Sequence, residues 1–382
     1  MTAITKPDSE QPVAALGRSV ATRGVGRTAR VGVGVAVVVV VVAYGLGANP
    51  FYLNIGDLCL IAMIGAIGLN LLTGYAGQVS VGSAPLLAIG AFTAAGTVHA
   101  AGFLVSLLAG GVAAALAGIL VGLPALRLRG LYLVFSTLAL LVVVQFAFQQ
   151  LQTDTGALGG YSLGTATVAT LQIISLRSWY IVLVVAVLLA TAAAVGITSG
   201  KLGRAWQAVK GHDIAAGVMG VDVRREKIRA FVVSSFFIGV AGALGAFFLG
   251  QVSYGSYGLE LSVSYIAMII VGGLGSIAGS MIGAIIVTAL PFVISNIGTS
   301  ISGSGSGFLQ TNLASVETGV YAVIVIAFLM FEPTGVAGLI TRVSSRVTRR
   351  DSRASGTRGA TSTAGVELQT PQATNVSSRH LR

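Results

Sequence analysis

Neutral polar side chains stand among glycines at one point of an otherwise apolar sequence. Gln78, Ser80 and Ser83 follow Gly74 closely, and Gly82 lies between the two serines. Hydroxyl and amide groups of this kind can hydrogen-bond an uncharged or zwitterionic solute without holding it as tightly as a charged lining would. The stretch therefore favours the passage of a solute over a chemical reaction.

Residue types suited to catalysis or metal binding are few and scattered. The histidines, His99, His212 and His380, lie far apart, and Cys59 is the single cysteine. The one Gly-Lys pair, Gly200-Lys201, is followed by leucine, so the phosphate-binding loop of an ATPase is missing. We expect a chain that is not an enzyme, binds no metal or cofactor itself, and does not hydrolyse ATP.

The composition indicates that the elements around these residues are membrane helices. Hydrophobic residues make up 54% of the 382 and charged residues 9%, against about 25% charged in a soluble domain. A helical crossing needs about 20 mostly apolar residues. Roughly ten such stretches occur, near 31–48, 55–73, 80–98, 102–124, 131–150, 178–198, 230–250, 262–276, 280–297 and 317–339. We predict an all-α integral membrane protein of about ten transmembrane helices, of which the third, eighth and ninth are short or broken.

Charge placement predicts the orientation. Lysine and arginine collect on the cytoplasmic side of membranes, and ten spans put the cation-rich segments on one face. These segments are residues 1–30, the turn with Arg127 and Arg129, the loop 201–229 and residues 341–382. We therefore expect both termini in the cytoplasm, as a basic tail over 1–30 and a basic, disordered tail over 341–382. The transmembrane domain covers 31–340.

Two expectations concern the ends of predicted spans. The basic stretch from Arg18 to Arg30 and the valines at 35–42 have the outline of a secretory signal, which we expect to stay uncleaved as an anchor. The acids Asp57, Asp154, Glu260 and Glu317 fall at or outside span ends. Because ion-coupled carriers normally rely on acids inside the membrane, this placement speaks against one.

The loop 201–229 is patterned like a docking surface. Asp213 is predicted to cap a short helix over 214–219, with Gly220 as its left-handed C′ residue. The apolar residues expected to give contact area are Trp206, Val209, Ile214, Val218 and Met219. From the residues alone, docking on a partner and lying flat on lipid head groups remain equally open.

A late glycine cluster predicts close helix contact. Gly275, Gly279 and Gly283 repeat at a spacing of four, which puts them on one helix face, and Gly272 and Gly273 precede them. Packing alone would explain the cluster, and contact with a solute pathway or a partner subunit is the alternative.

Three blocks carry a family resemblance. The run from Gly203 to Lys210, with Asp213-Ile214-Ala215-Ala216 and Gly220-Val221, resembles the cytoplasmic loop of branched-chain amino acid ABC transporter permeases of the LivM type. The blocks 68–82 and 272–276 are similar to the early and late signatures of that family. Two shorter runs, 129–132 and 332–339, fit the family as well. Together the five blocks cover about residues 51–340 in the expected order.

The resemblance implies a role in a larger machine in the cytoplasmic membrane of a prokaryote. The chain would be one of two homologous permeases, paired with two cytoplasmic ATPase subunits that bind ATP and Mg, and served by an extracytoplasmic solute-binding protein. Membrane lipids would surround it, and no nucleic acid is involved. The ATPase-coupling residues would be Asp213, Ile214, Ala215, Ala216, Met219 and Gly220. The translocation pathway would be lined by Asn70, Gly74, Gly77, Gln78, Ser80, Gly82 and Ser83.

Two departures from the family pattern leave the cargo open. Ser83-Ala84-Pro85 and the outer loop 153–164 match the family only partly. Branched-chain amino acids are the expected solute, and urea, a short amide or another amino acid is the alternative. An ion-coupled carrier acting alone and a channel or scaffold are the rivals from other classes.

Overall fold

The computed structural model describes most of the chain between residues 49 and 302. The described residues are 49–126, 131–157, 159–163, 167–168, 171–172 and 175–302, with 319, 322, 323 and 326. By contacts the chain divides into two units, Met1–Asn49 and Pro50–Arg382, and the elements below belong to the second. The predicted span 31–48, nearly all of 317–339, both tails, and Arg127 and Arg129 lie outside the described residues.

Within those ranges the protein is almost entirely helical. The helices are α1 Pro50–Asn70, α2 Ser83–Ala125, α3 Leu131–Asp154, α4 Leu176–Ser199, α5 Lys201–Gly211, α6 Asp213–Val218, α7 Val223–Leu249, α8 Leu259–Gly272 and α9 Ile277–Ser302. All except α5 and α6 belong to the seven helical stretches of the described chain that are long and apolar enough to cross a membrane. The prediction of a multi-pass helical membrane protein is confirmed, and the count of ten spans and the side of the termini stay predictions.

Helix α2 is a hairpin of two arms. Its 43 residues would reach about 65 Å as one straight helix, twice the thickness of the hydrocarbon layer. The backbone of Gly102 is non-helical, with φ 74° and ψ 177°. A Cβ on Gly110 would come within 2.6 Å of the Gly90 carbonyl oxygen, so residues twenty positions apart are in contact. The predicted stretches 80–98 and 102–124 therefore correspond to the two arms.

Small residues let the arms of α2 pack against α7 at backbone distance. A Cβ at Gly90 would collide with the backbone of Gly239, and one at Gly242 would collide with the Leu87 carbonyl. Farther along the second arm, Gly118 lies against Ser235 of α7. This is the close approach that small residues permit between membrane helices. The seam holds both arms of α2 against α7.

Short strands mark one end of the bundle, called the strand end here. β1 Tyr161–Ser162 pairs antiparallel with β4 Gln251–Val252, and β2 Thr167–Val168 pairs with β3 Leu171–Gln172. Buried Gln152 of α3 donates to the Val252 carbonyl and accepts from the Tyr254 amide at 3.0 Å. This side chain fastens the loop after α7 to α3. The opposite end, which carries α5 and α6, is called the loop end.

One acid lies deeper than predicted. Helix α1 begins at Pro50, so Asp57 is about two turns inside it rather than at a span end. Its side chain is fully buried, and neither carboxylate oxygen has a hydrogen-bond partner in the described part of the chain. The expectation that Asp57 lies at the end of a span is wrong. Because an acid inside the membrane is what an ion-coupled carrier needs, the sequence argument against such a carrier is weakened.

Candidate functional site

Helix α5 is anchored at the loop end by its apolar face. Trp206 is fully buried and Val209 nearly so, while Lys201, Arg204 and Lys210 of the same helix lie at exposed positions. The expectation that Trp206 and Val209 offer contact area to a partner is therefore wrong. They hold α5 to the membrane helices, and α5 leads directly into α6.

Helix α6 is a short knob with an exposed apolar tip. Ile214, Val218 and Met219 are 78%, 86% and 84% exposed. Gly220 has φ 86°, its amide donates to the Gly217 carbonyl, and the Val221 amide donates to the Ala216 carbonyl. These two bonds close the helix with a left-handed glycine, as the sequence predicts. The knob presents three large apolar side chains to its surroundings.

Two details of α6 differ from the sequence prediction. The residue before the helix is His212, and Asp213 is its first residue rather than its N-cap. The Asp213 carboxylate instead accepts from Lys227 Nζ of α7 at 2.6 Å. Ala216 is 3% exposed and faces its own chain, so it supports the tip and does not contribute to it. Ala215, Met219 and Gly220 lie on exposed positions.

The glycine-rich stretch that follows α1, residues 71–82, is called the first break. It departs from the α-helix in two steps. Residues Leu71–Tyr75 form a π-helical turn, and residues 76–82 follow without helical or strand structure. Gly77, with φ 71°, is left-handed at the start of this segment. The Gln78 amide donates back to the Leu72 carbonyl at 3.1 Å, so the segment first turns on itself before α2 begins at Ser83.

The polar residues of the first break are buried, and some of their atoms are free. Gln78, Ser80 and Ser83 are 5%, 3% and 0% exposed. Gln78 Nε2 donates to the Lys227 carbonyl at 3.4 Å, and Ser80 Oγ accepts from the Gly82 amide at 3.1 Å. Gln78 Oε1 and Ser83 Oγ have no hydrogen-bond partner among the described residues. Buried polar atoms without partners are rare in proteins, and they are available to bind water or a solute.

The late glycines form a tight helix hairpin, whose turn, residues 273–276, is called the second break. Gly273 and Gly275 have φ 107° and 82°, and α8 ends before them while α9 begins after them. The expectation that Gly275 shares a helix face with Gly279 and Gly283 is wrong, because Gly273 and Gly275 are turn residues. A Cβ on Gly272 would strike the Gly279 carbonyl, and one on Gly283 would strike the Met268 carbonyl.

Asn70 joins the two breaks across some 200 residues of sequence. Its Nδ2 donates to the Ser276 carbonyl at 2.9 Å, and its Oδ1 accepts from the Gly275 amide at 2.9 Å. Gly74 sits beside this clamp, because a Cβ there would strike Asn70 Oδ1 and the Gly275 amide. The structure thus brings Asn70, Gly74, Gly275 and Ser276 together. It does not bring α6 directly against them.

Lysines connect the loop end to the first break. Lys210 Nζ of α5 donates to the Gly74 carbonyl at 2.6 Å, and Lys227 links Asp213 on one side to Gln78 on the other. Neither lysine is among the predicted site residues, because the sequence shows them only as two cations of a basic loop. Only Lys210 lies in the run that carries the family resemblance, and this is the one signal in the sequence that singles it out.

A cavity of about 600 Å³ lies toward the strand end, between α1, α2, α7, α8 and α9. Its wall is mainly apolar, and its polar groups include Tyr257, Tyr265, Thr288 and the Glu260 carboxylate. Thr288 Oγ1 is buried without a hydrogen-bond partner in the described chain. This cavity is not predictable from the sequence, because five helices that are distant in sequence build it.

Known proteins resemble the chain over most of its described length. A family model described as "branched-chain amino acid transport system / permease component" matches residues 51–331. The high-affinity branched-chain amino acid transport system permease protein LivM of Escherichia coli (strain K12) is 32% identical over 259 residues, 61% of this chain and 61% of that protein. LivM of Salmonella typhimurium (strain LT2) is 31% identical over the same shares.

A more distant match extends the similarity to a second permease type. The probable branched-chain amino acid transport permease protein LivH of Methanocaldococcus jannaschii is 31% identical over 139 residues, 36% of this chain and 41% of that protein. The matched part of this chain thus spans less than two thirds of each of these relatives. No solved structure matches the chain.

Proposed function

The chain belongs to the branched-chain amino acid transport system permease family, and on that premise we propose that it is a membrane-spanning permease subunit of an ABC importer for branched-chain amino acids. It acts beside a second, homologous permease in the cytoplasmic membrane of a prokaryote. Two cytoplasmic ATPase subunits bind ATP and Mg and drive transport, and an extracytoplasmic binding protein delivers the solute. The chain itself carries no cofactor, and its ten spans place both termini in the cytoplasm.

The exposed apolar tip of α6 is the observation that carries the proposal. Ile214, Val218 and Met219 project from a capped helix at the end of the bundle where basic residues collect. Exposed apolar side chains clustered on a rigid element are typical of a surface that a partner covers. A loop lying flat on lipid would instead bury Trp206 in the head groups, and Trp206 is buried within the chain. We therefore assign the tip to the ATPase.

The first break supports the solute pathway. Gln78 Oε1 and Ser83 Oγ are neutral polar atoms that are free to bind a passing solute. A segment without helical structure at membrane depth is tolerated where protein or a wet cavity satisfies its backbone. Both properties fit a neutral passage for a zwitterion.

Val218→Glu tests the docking assignment. A charge placed in an apolar contact should lower recovery of the ATPase about 30-fold, the effect of losing a contact worth about 2 kcal/mol. The measurement is quantitative mass spectrometry of everything that a tagged chain retains in mild detergent, together with leucine uptake into vesicles. Gln207→Glu is the matched control, since it adds the same charge at an exposed position of α5, outside the apolar tip. Equal ATPase recovery with both variants would overturn the assignment.

Asp57 favours one rival, a carrier that acts alone on an ion gradient. Its buried carboxyl without a partner in the described chain is the kind of group that such a carrier requires. If the chain purifies without an ATPase and still moves leucine along an ion gradient without ATP, and if Asp57→Asn abolishes that uptake, the rival replaces the importer.

A further inference from the structure

The side chain of Lys210, from α5, binds the end of the π-helical turn Leu71–Tyr75. Its Nζ donates to the Gly74 carbonyl oxygen at 2.6 Å. The last carbonyl groups of a helix have no partner within the helix, and a cation placed there is favourable. Lys210 thus satisfies a backbone group at the point where the chain leaves α1 and enters the first break.

The contact between α5 and the first break extends beyond this bond. Gly77 is left-handed, and a Cβ on it would come within 2.8 Å of Lys210 Cγ and 3.4 Å of Lys210 Cα. The backbone of α5 therefore packs directly on the backbone of the first break. Because packed backbones cannot pass through each other, a displacement of α5 must move residues 74–77 or break the contact.

A second connection runs from α6 itself. Asp213 pairs with Lys227 at 2.6 Å, and the Lys227 carbonyl accepts from Gln78 at 3.4 Å. From Gly74 the contacts continue through Asn70 to Gly275 and Ser276 of the second break. One connected set of contacts thus joins α6 to the first break and to the second break.

We propose that Lys210 is a positioning residue that latches the first break to α5, the helix that leads directly into α6. Its ammonium group holds the Gly74 carbonyl, so that a push on α6 reaches the first break and, through Asn70, the second break. The inference rests on the proposed function only for the identity of the partner that pushes. The latch itself belongs to this chain.

Cysteine labelling in membranes tests the latch on the full chain. Ser80→Cys places a thiol of nearly the same size at a position that is 3% exposed, in a Cys59→Ala background that removes the native thiol. Adding Lys210→Met keeps the aliphatic stem beside Gly77 and removes the ammonium. The rate of reaction with N-ethylmaleimide should rise about tenfold, the population change expected when one hydrogen bond to a charged group is lost.

Controls separate the latch from general effects of charge. Lys201→Met makes the same change at an exposed position of α5 and should leave the labelling rate unchanged. Lys210→Arg keeps a cation and should restore slow labelling. If Lys210→Met does not accumulate in membranes, Lys210→Gln removes the same charge and is measured in its place. Equal rates with and without the Lys210 change, or equal increases with the Lys201 change, would overturn the latch.

Transport measurements separate failure of the latch from failure of the proposed function. In complexes that retain the ATPase, Lys210→Met should lower the radiolabelled leucine imported per ATP hydrolysed about tenfold, and Lys210→Arg should recover most of it. An unchanged ratio argues against the latch while the importer stands. If no ATPase is retained by the unaltered chain, the importer fails, and the labelling result alone decides the latch.

Discussion

The two breaks in the bundle use glycine in opposite ways. In the first break, glycines release the backbone from the helix, and the segment carries buried polar side chains with free atoms. In the second break, Gly273 and Gly275 make a tight turn, and Gly272, Gly279 and Gly283 let α8 and α9 touch through their backbones. Glycine thus accompanies a buried polar segment in one place and close backbone packing of two helices in the other.

The difference shows that the neighbours of a glycine decide its role. The α8–α9 hairpin should be most sensitive to added volume, whereas the first break should also be sensitive to the loss of its buried polar groups at Gln78 and Ser83. The substitutions below test this contrast, beginning with the largest expected effect.

Gly283→Leu should unfold the α8–α9 hairpin. Its Cβ would collide with the Met268 carbonyl, a backbone atom that cannot rotate away. The free energy of unfolding should fall by more than the cost of overpacking a core, which is about 1–3 kcal/mol. The measurement is the fraction that stays monodisperse in detergent on heating. Gly196→Leu is the control, since no heavy atom lies within 4 Å of a Cβ there. Equal heat resistance of the two variants would contradict the packing role.

Asn70→Leu should separate the two breaks. It leaves the Gly275 amide and the Ser276 carbonyl without their partners, at a cost of about 1–3 kcal/mol for two half-buried groups. The measurement is the free energy of unfolding in detergent, with Asn54→Leu, half-buried on the same helix, as control. A cost no larger than that of the control would show that the breaks hold together without the clamp.

Gln78→Leu should slow transport more than it destabilises the protein. The single bond of Gln78 to the Lys227 carbonyl is long, at 3.4 Å, so its loss should cost at most about 1 kcal/mol of folding free energy. Leucine uptake should fall about fivefold, which corresponds to one neutral hydrogen bond to the solute. Val79→Leu, at the exposed neighbouring position, is the control. Normal uptake with Gln78→Leu would contradict a pathway role and show that the first break, like the α8–α9 hairpin, serves packing.

Ser83→Ala should have the smallest effect. The hydroxyl is buried without a partner in the described chain, so its removal should leave folding stability unchanged or raise it by up to about 1 kcal/mol. Uptake should fall by about twofold at most. Thermal unfolding and uptake on the same preparation give both values. A clear loss of stability would mean that Ser83 makes a bond that the described contacts lack.

The features that sequence could predict are those encoded locally. Long apolar stretches predict the membrane helices, and Gly220 after an apolar run predicts the left-handed end of α6. The glycines at 74, 77 and 82 likewise predict a departure from helix, because glycine costs about 1 kcal/mol in a helix and tolerates positive φ.

The features that sequence could not predict depend on residues far apart. The orientation of Ala216 is set by what α6 packs against, and its spacing alone fits an outward position equally well. Lys210 and Gly74 lie 136 residues apart, and only the fold makes one the partner of the other. Spacing by four also misassigned Gly275, since the period of a helix says nothing about where the helix stops.

The α2 hairpin has a consequence for how the protein enters the membrane. From Leu58 to Leu126 the sequence contains no lysine, arginine, aspartate or glutamate, so neither arm carries a charge that could orient it during insertion. Because Gly102 joins the arms with no polar loop between them, we expect the insertion machinery to receive both arms as one unit. Their direction would then be set by the cations that follow the pair, Arg127 and Arg129.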